Sequence, residues 1–192
     1  GDIFPSGWVT ALDSNSETKW SSRYWFEGSS TSSLKSIKTS DFAPCRLALA
    51  GQSNSPQGNG KDDGWVLLLD SDGVWEQTAL CGGEGSDFFT DIAPIDDGGY
   101  IAIGTTFSFN PVTTGPDLYV VKMDANLNTE WEYRYGGIGE EWGNKVEVIP
   151  DPLVPGSEAY LVSAYTSSTA SGSNDWWILV IRDTGEVAWQ AA

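Results

Sequence analysis

The chain has 192 residues, a length that suits one domain, and its 10 Lys and Arg against 27 Asp and Glu give a formal net charge of −17. A surface this acidic repels phosphate groups, and no apolar run is long enough to cross a bilayer, so we expect no nucleic-acid partner and no membrane insertion. The absence of His excludes catalysis by an imidazole base and metal sites built on imidazole.

In chain order, the sequence predicts half a unit of two strands in residues 1–28, followed by units of four strands in 29–83, 84–137 and 138–192. The apolar and β-branched runs are short and are bounded by Gly, Asn, Asp and Ser, which is typical of strands. No stretch has the periodicity of an amphipathic helix. We therefore expect an all-β chain of 14 strands with essentially no helix.

Aromatic residues recur in two columns along the chain, at intervals of 54 to 58 residues. The first column is Trp20, Trp75, Trp131 and Trp189, and the second column is Trp8, Trp65, Tyr119 and Trp177. A fixed period of this kind indicates a repeat architecture. A large aromatic residue at the same place in every unit is expected to fill the space between neighbouring sheets.

Repeated units of four short strands at this period are typical of a β-propeller. One four-stranded sheet cannot cover both of its apolar faces, whereas sheets stacked on each other can. We therefore predict a single domain, 1–192, of four-stranded antiparallel propeller blades with about three and a half repeats. The eight column residues are predicted to be structural contacts between blades.

Three segments carry shared motifs, namely Trp65–Gly83, Asp97–Thr106 and Tyr119–Gly137. They resemble the repeat of the secreted bacterial β-propeller families, W-V-x-K-x-D-x-x-G-x-x-x-W-x-x-x-Y-G-G followed by D-G-G-Y-x-x-x-G-x-T, although the Asp70–Trp75 hairpin is two residues short of that pattern. The final hairpin, Thr184–Trp189, is similar to the T-G-x-x-x-W motif of quinoprotein-like propellers. The resemblance implies the fold and no particular activity, because propellers have many unrelated functions.

The strand count predicts that the first unit is incomplete, because we expect no strands after Trp189 to supply the two that it lacks. Three interpretations are open. The chain is a fragment of a longer propeller with neighbouring repeats, or it forms a small four-bladed ring with one half blade, or separate chains associate so that a neighbour covers the open edge or face.

Trp142 and Trp25 lie outside the columns and are candidate ligand-binding residues. Trp142 stands beside Glu140 and Glu141, and an exposed indole beside carboxylates can stack on a sugar ring. The alternative, which we favour, is that these rings pack between blades or subunits.

The acidic turns allow a calcium interpretation, because the turns at Asp70–Asp72 and Asp124–Glu130 place oxygen atoms at alternate positions. A tight hairpin requires the same residue types. We therefore predict no cofactor and no metal, with calcium as the alternative.

Five acidic residues lie at or near the predicted inner strands, where a pair of carboxylates could hydrolyse a glycosidic bond. They are Asp87, Asp91, Glu140, Glu141 and Glu147. Among 27 acidic residues a chance pair is expected, so we predict that the chain is not an enzyme.

Cys45 is expected at the start of one strand, and Cys81 at the far end of another in the same sheet. Their separation should exceed the roughly 7 Å that a disulfide can span, so we predict no intrachain bridge. An intermolecular bridge and two buried free thiols are both open alternatives.

These observations predict a non-enzymatic structural or adhesive propeller module that self-assembles into oligomers or filaments through its incomplete blade. Loops rich in Ser, Thr, Gly and Asn favour an extracellular or cell-surface location. The first alternative is a carbohydrate- or protein-binding propeller, and the second is a polysaccharide-active enzyme with paired carboxylates.

Overall fold

The computed structural model describes residues 6–40, 45–108, 115–168 and 174–192. In these ranges the chain forms 14 strands in four antiparallel sheets, and they contain no helix. The predictions of an all-β chain and of 14 strands are therefore confirmed. No helix that could cross a membrane is present in the described ranges.

The strands of every sheet pair in chain order, each with the next along the sequence. Sheet 1 consists of β1 (Gly7–Leu12) and β2 (Thr18–Tyr24). Sheet 2 consists of β3 (Ser32–Ser40), β4 (Arg46–Ser53), β5 (Asp63–Asp70) and β6 (Trp75–Cys81). Sheet 3 consists of β7 (Asp87–Pro94), β8 (Tyr100–Thr106), β9 (Asp117–Met123) and β10 (Thr129–Tyr135). Sheet 4 consists of β11 (Glu141–Pro150), β12 (Glu158–Thr166), β13 (Asp175–Arg182) and β14 (Val187–Ala191).

The last two strands of each sheet are joined by a hairpin with the same closing bonds in all four sheets. In the first hairpin, Asp13 N donates to Glu17 O at 2.8 Å and Ser16 N donates to Asp13 O at 3.0 Å. The fourth residue of each hairpin has a positive φ, and these residues are Ser16, Gly73, Leu127 and Gly185. The first residue of the first three hairpins is an Asp whose Oδ1 accepts two backbone amides of its own turn. These carboxylates therefore fix the turn.

Three apolar cores hold the four sheets together, one between each consecutive pair. Strand β5 shows how the sequence makes this possible. Trp65, Leu67 and Leu69 enter the core shared with sheet 1, whereas Val66 and Leu68 enter the core shared with sheet 3. Because neighbouring side chains of a strand point to opposite faces, a strand covered on both sides has a continuous apolar sequence. The sheets are thus stacked face to face in chain order.

The first strands of the three larger sheets lie side by side and are joined through Asp91 of β7. Its fully buried carboxylate accepts hydrogen bonds from the Ser36 hydroxyl of β3 at 2.5 Å and from Val146 N of β11 at 3.2 Å. Lys145 Nζ lies 3.5 Å from the same carboxylate. One buried acid therefore connects three sheets.

The stacking predicts that truncating two equivalent tryptophans lowers the stability of the protein by different amounts. Trp65 is fully buried between sheets 1 and 2, whereas Trp8, at the same place in sheet 1, is 63% exposed. We expect Trp65→Ala to lower the free energy of unfolding by about 3–5 kcal/mol, and Trp8→Ala to lower it by less than about 1 kcal/mol. Urea unfolding followed by circular dichroism measures both losses. Equal losses would contradict the face-to-face stacking.

Candidate functional site

The two aromatic columns point to opposite faces of their sheets. Trp65, Tyr119 and Trp177 of the second column pack in the core shared with the preceding sheet. Trp20 and Trp131 of the first column pack in the core shared with the following sheet. Sheet 3 therefore presents Tyr119 of the second column to the sheet before it and Trp131 of the first column to the sheet after it.

At two junctions a Trp and a Tyr from one strand hold the hairpin of the following sheet, an arrangement we call the clasp. From sheet 1, Trp20 Nε1 donates to Ser71 O at 3.1 Å and the Tyr24 hydroxyl donates to Gly73 O at 2.5 Å. A side chain at Gly73 would meet the Trp20 ring at 2.8 Å, so this close approach requires glycine.

The same clasp joins sheets 3 and 4. Trp131 Nε1 donates to Asp183 O at 2.9 Å, and the Tyr135 hydroxyl donates to Gly185 O at 2.6 Å. Both acceptors are main-chain carbonyls at the second and fourth residues of the hairpin. The clasp is therefore a repeated feature of sheet stacking.

Trp75 does not occupy the clasp position in sheet 2. The β5–β6 hairpin has the same length as the other hairpins, because Asp70 N donates to Val74 O at 3.0 Å. Trp75 therefore lies two residues earlier on β6 than Trp20 and Trp131 lie on their strands. Trp131 pairs with Lys122 in sheet 3, and the equivalent pair in sheet 2 is Gln77 with Leu68. Trp75 pairs with Leu69 instead and points to the side of sheet 1, with its ring 6.3 Å from Trp65.

Trp189 is equivalent to Trp131, since it pairs with Val180 on the face of sheet 4 that points away from sheet 3. It is 54% exposed. On the same face, Trp176 is 56% exposed and its ring lies 4.4 Å from that of Tyr165. We call this surface the tail face, and it consists of Leu161, Tyr165, Trp176, Ile178 and Trp189.

The tail face has the composition of a buried surface. In sheet 3 the equivalent positions include Ile101, Leu118 and Val120, which are fully buried beneath sheet 4. In sheet 4 these positions are Leu161, Trp176 and Ile178. Contiguous exposed apolar side chains of this kind mark interaction sites.

The opposite end of the stack also has an open surface, on the side of sheet 1 that points away from sheet 2. We call it the head face, and it consists of Trp8, Thr10, Leu12, Ser21 and Arg23. Trp8 Nε1 donates to the Ser21 hydroxyl at 2.5 Å, and the Arg23 guanidinium lies 4.7 Å from the centre of the Trp8 ring. The positions equivalent to Trp8 and Leu12 in sheet 2 are Trp65 and Leu69, which are fully buried.

A groove of about 770 Å³ lies between sheets 1 and 2. We call it the aromatic groove, and it is lined by Tyr24, Trp25, Phe26, Glu27, Gln57 and Trp75 among others. Trp25 is 53% exposed. The displacement of Trp75 along its strand therefore gives the groove a second indole.

Trp142 lies elsewhere and does not line the aromatic groove. Its ring packs 6.2 Å from Phe88 and 5.7 Å from Phe107, and its Nε1 donates to Glu140 Oε2 at 3.3 Å. The two predicted ligand-binding residues, Trp142 and Trp25, are thus not brought into one site by the described residues.

Two of the candidate acids, Asp87 and Glu141, accept equivalent hydrogen bonds at the links between consecutive sheets. The buried Asp87 carboxylate accepts hydrogen bonds from Gly83 N at 2.8 Å, from Ser108 Oγ at 2.7 Å and from the Thr106 hydroxyl. The Glu141 carboxylate accepts the equivalent bonds at the next junction, from Gly137, Thr166 and Ser168. Protein donors therefore occupy both carboxylates, and each ties the end of one sheet to the start of the next. Glu147 is exposed on β11.

Sequence reasoning missed a charge cluster centred on Lys122. This buried ammonium group lies 2.7 Å from Asp183, 3.1 Å from Glu130 and 3.5 Å from Asp97. Burial alone would lower the pKa of Lys122, but the hydrogen bonds to Asp183 and Glu130 raise it above its ordinary value. Because Asp183 belongs to the hairpin of sheet 4, the cluster supports the clasp of Trp131.

The acidic side chains of the Asp124–Glu130 turn, one of the two turns of the calcium alternative, contact protein groups. Glu130 contacts Lys122, and Asp124 accepts the amides of its own turn. In the described ranges, no group of three acidic or cysteine side chains is placed to hold a metal ion.

A comparison of the chain with protein-family models and with curated protein sequences finds no match.

Both cysteines are free thiols, and their different burial predicts that they react at different rates. Cys45 is exposed, whereas Cys81 is buried in the core between sheets 2 and 3, where burial raises its pKa to about 12. Because the thiolate is the reactive form, a disulfide reagent near pH 8 should titrate one thiol in the native chain and both after unfolding. Cys45→Ser should abolish the native reaction, and Cys81→Ser should leave it intact. Reaction of both thiols in the native protein would contradict this burial.

Proposed function

We propose that this chain is a non-enzymatic structural module of β-propeller type that works by associating with other molecules through its open sheet faces. The supporting observation is the tail face, where Leu161 and Trp176 lie exposed and Ile178 lies half-buried at positions that are fully buried in sheet 3. Burying apolar area of this kind is the main driving force of association.

The propeller part of the proposal is supported by the way the sheets approach each other. The first strand of sheet 3 contacts the first strands of sheets 2 and 4, and its Asp91 is bonded to both. A propeller places the first strand of each blade next to the central axis.

The proposed location is extracellular or at a cell surface. A net charge of −17 favours solubility and disfavours non-specific contact with nucleic acid or anionic membrane. An acidic surface also limits association to places where apolar groups are concentrated, as they are on the tail face.

The proposal predicts that the protein assembles in solution through its tail face. In sedimentation velocity we expect species larger than one chain for the natural sequence, and single chains for Trp176→Asp, because a charge there would be buried without a partner. The matched control is Ile138→Asp, at an apolar residue that is 87% exposed and lies off both faces. It should assemble normally. A natural protein that sediments as single chains at every concentration would refute the proposal.

A second candidate function is carbohydrate binding, which the aromatic groove favours. Trp25 and Trp75 offer ring faces for the apolar side of a sugar, and Gln57 and Glu27 offer hydrogen-bonding groups beside them. The structure thus pairs Trp25 with Trp75 and not with Trp142.

This second function predicts saturable quenching of tryptophan fluorescence by a hexasaccharide such as cellohexaose or chitohexaose. Trp25→Ala should weaken binding about ten-fold or more. Trp142→Phe should bind as tightly as the natural protein, because Trp142 lies outside the groove. Equal binding by Trp25→Ala and the natural protein would exclude the groove as the site.

A further inference from the structure

We infer that the tail face of one chain binds the head face of a second copy, with Trp189 Nε1 donating to the main-chain carbonyl of Ser14 in that copy. This inference rests on the proposed function and names its partner. It commits to a second copy of the chain because the chain itself carries both of the surfaces that such a contact requires.

The internal junctions supply the template for this contact. In the clasps, Trp20 donates to Ser71 and Trp131 donates to Asp183. Each acceptor is the second residue of a hairpin. Trp189 is the remaining first-column tryptophan at the clasp position of its strand, and its indole lies exposed on the tail face.

The β1–β2 hairpin is a suitable acceptor. Its second residue, Ser14, is exposed, as are the next three residues. Its closing bond, from Asp13 N to Glu17 O at 2.8 Å, is equivalent to the bond from Arg182 N to Glu186 O at 2.9 Å in the hairpin that accepts Trp131. The two hairpins therefore present their second carbonyl in the same way.

The faces behind this hydrogen bond also correspond. The head face carries Trp8 and Leu12 at positions that are buried against the preceding sheet in sheet 2. The tail face carries Leu161 and Ile178 at positions that are buried against the following sheet in sheet 3. A contact of head with tail thus repeats the part of those junctions that the last two strands of a sheet form, because sheet 1 has no equivalent of the first strands β7 and β11, which contact the preceding sheets.

One residue departs from the template. Ser16 stands at the place of Gly73, where a side chain would meet the ring of Trp20 at 2.8 Å. The Cβ of Ser16 therefore limits how closely Trp189 can approach. Replacing Ser16 by Gly should tighten the contact between copies.

Because head and tail are different surfaces, each added copy leaves one of each free. Contacts of this kind produce a ring if the rotation closes and an open filament if it does not. A contact between two tail faces would instead stop at a symmetric dimer.

The decisive experiment combines a head variant, Trp8→Asp, with a tail variant, Trp176→Asp. Both residues are more than half exposed, so both variants should fold, which circular dichroism checks. We expect each variant alone to sediment as single chains. We expect their equimolar mixture to form dimers and nothing larger, because it contains one intact head and one intact tail.

The outcomes separate the two levels of the proposal. If Trp8→Asp alone still assembles like the natural protein, the head is not the partner and the inference fails while the proposed function stands. If the natural protein itself sediments as single chains, the proposed function fails. If the mixture of variants stays as single chains while the natural protein assembles, the inference also fails.

Two further variants test the hydrogen bond. Trp189→Phe keeps an aromatic ring but loses the indole donor. When it is added to the Trp8→Asp chain, whose tail face is intact, we expect the mixture with Trp176→Asp to associate about ten-fold more weakly. Ser16→Gly, added to the Trp176→Asp chain, whose head face is intact, should strengthen association with the Trp8→Asp chain. Unchanged affinity in both variants would overturn the assigned roles of Trp189 and the hairpin.

Discussion

The structure depends on one constraint, which is that a four-stranded sheet with two apolar faces must be covered on both sides. Strand β5 meets it by sending Trp65, Leu67 and Leu69 to one core and Val66 and Leu68 to another. Exposing either face to water would cost free energy. The same constraint makes the two outermost faces of the stack the natural places for contact with another molecule.

Polar interactions then fix how the sheets are aligned. Burial of apolar area has no direction, whereas a hydrogen bond from Trp131 to the carbonyl of Asp183 sets the position of one sheet on the next. The buried carboxylates of Asp87 and Glu141 do the same at the links between sheets. The cores therefore hold the sheets together and these bonds determine their register.

Local sequence was sufficient to predict the strands, because alternation and turn residues act over a few positions. It was insufficient for Trp75, whose spacing from its neighbours in the column suggested the clasp position that Gln77 occupies. Counting from Asp70, the first residue of the hairpin, would have revealed the shift. The Lys122 cluster was not predictable, because Asp97 and Asp183 come from two turns that are far apart in the sequence and Glu130 comes from strand β10.

The clasp has a consequence for how such a chain can change its length. Its acceptors are backbone carbonyls, so the second residue of the receiving turn is free to drift, as the differing residues Ser71 and Asp183 show, whereas the fourth residue is glycine in both clasps. Any sheet that carries the donor is then compatible with any turn of the same shape that keeps glycine at its fourth position. Duplication or loss of a whole unit in the gene would leave matching surfaces at the new joint without a compensating substitution.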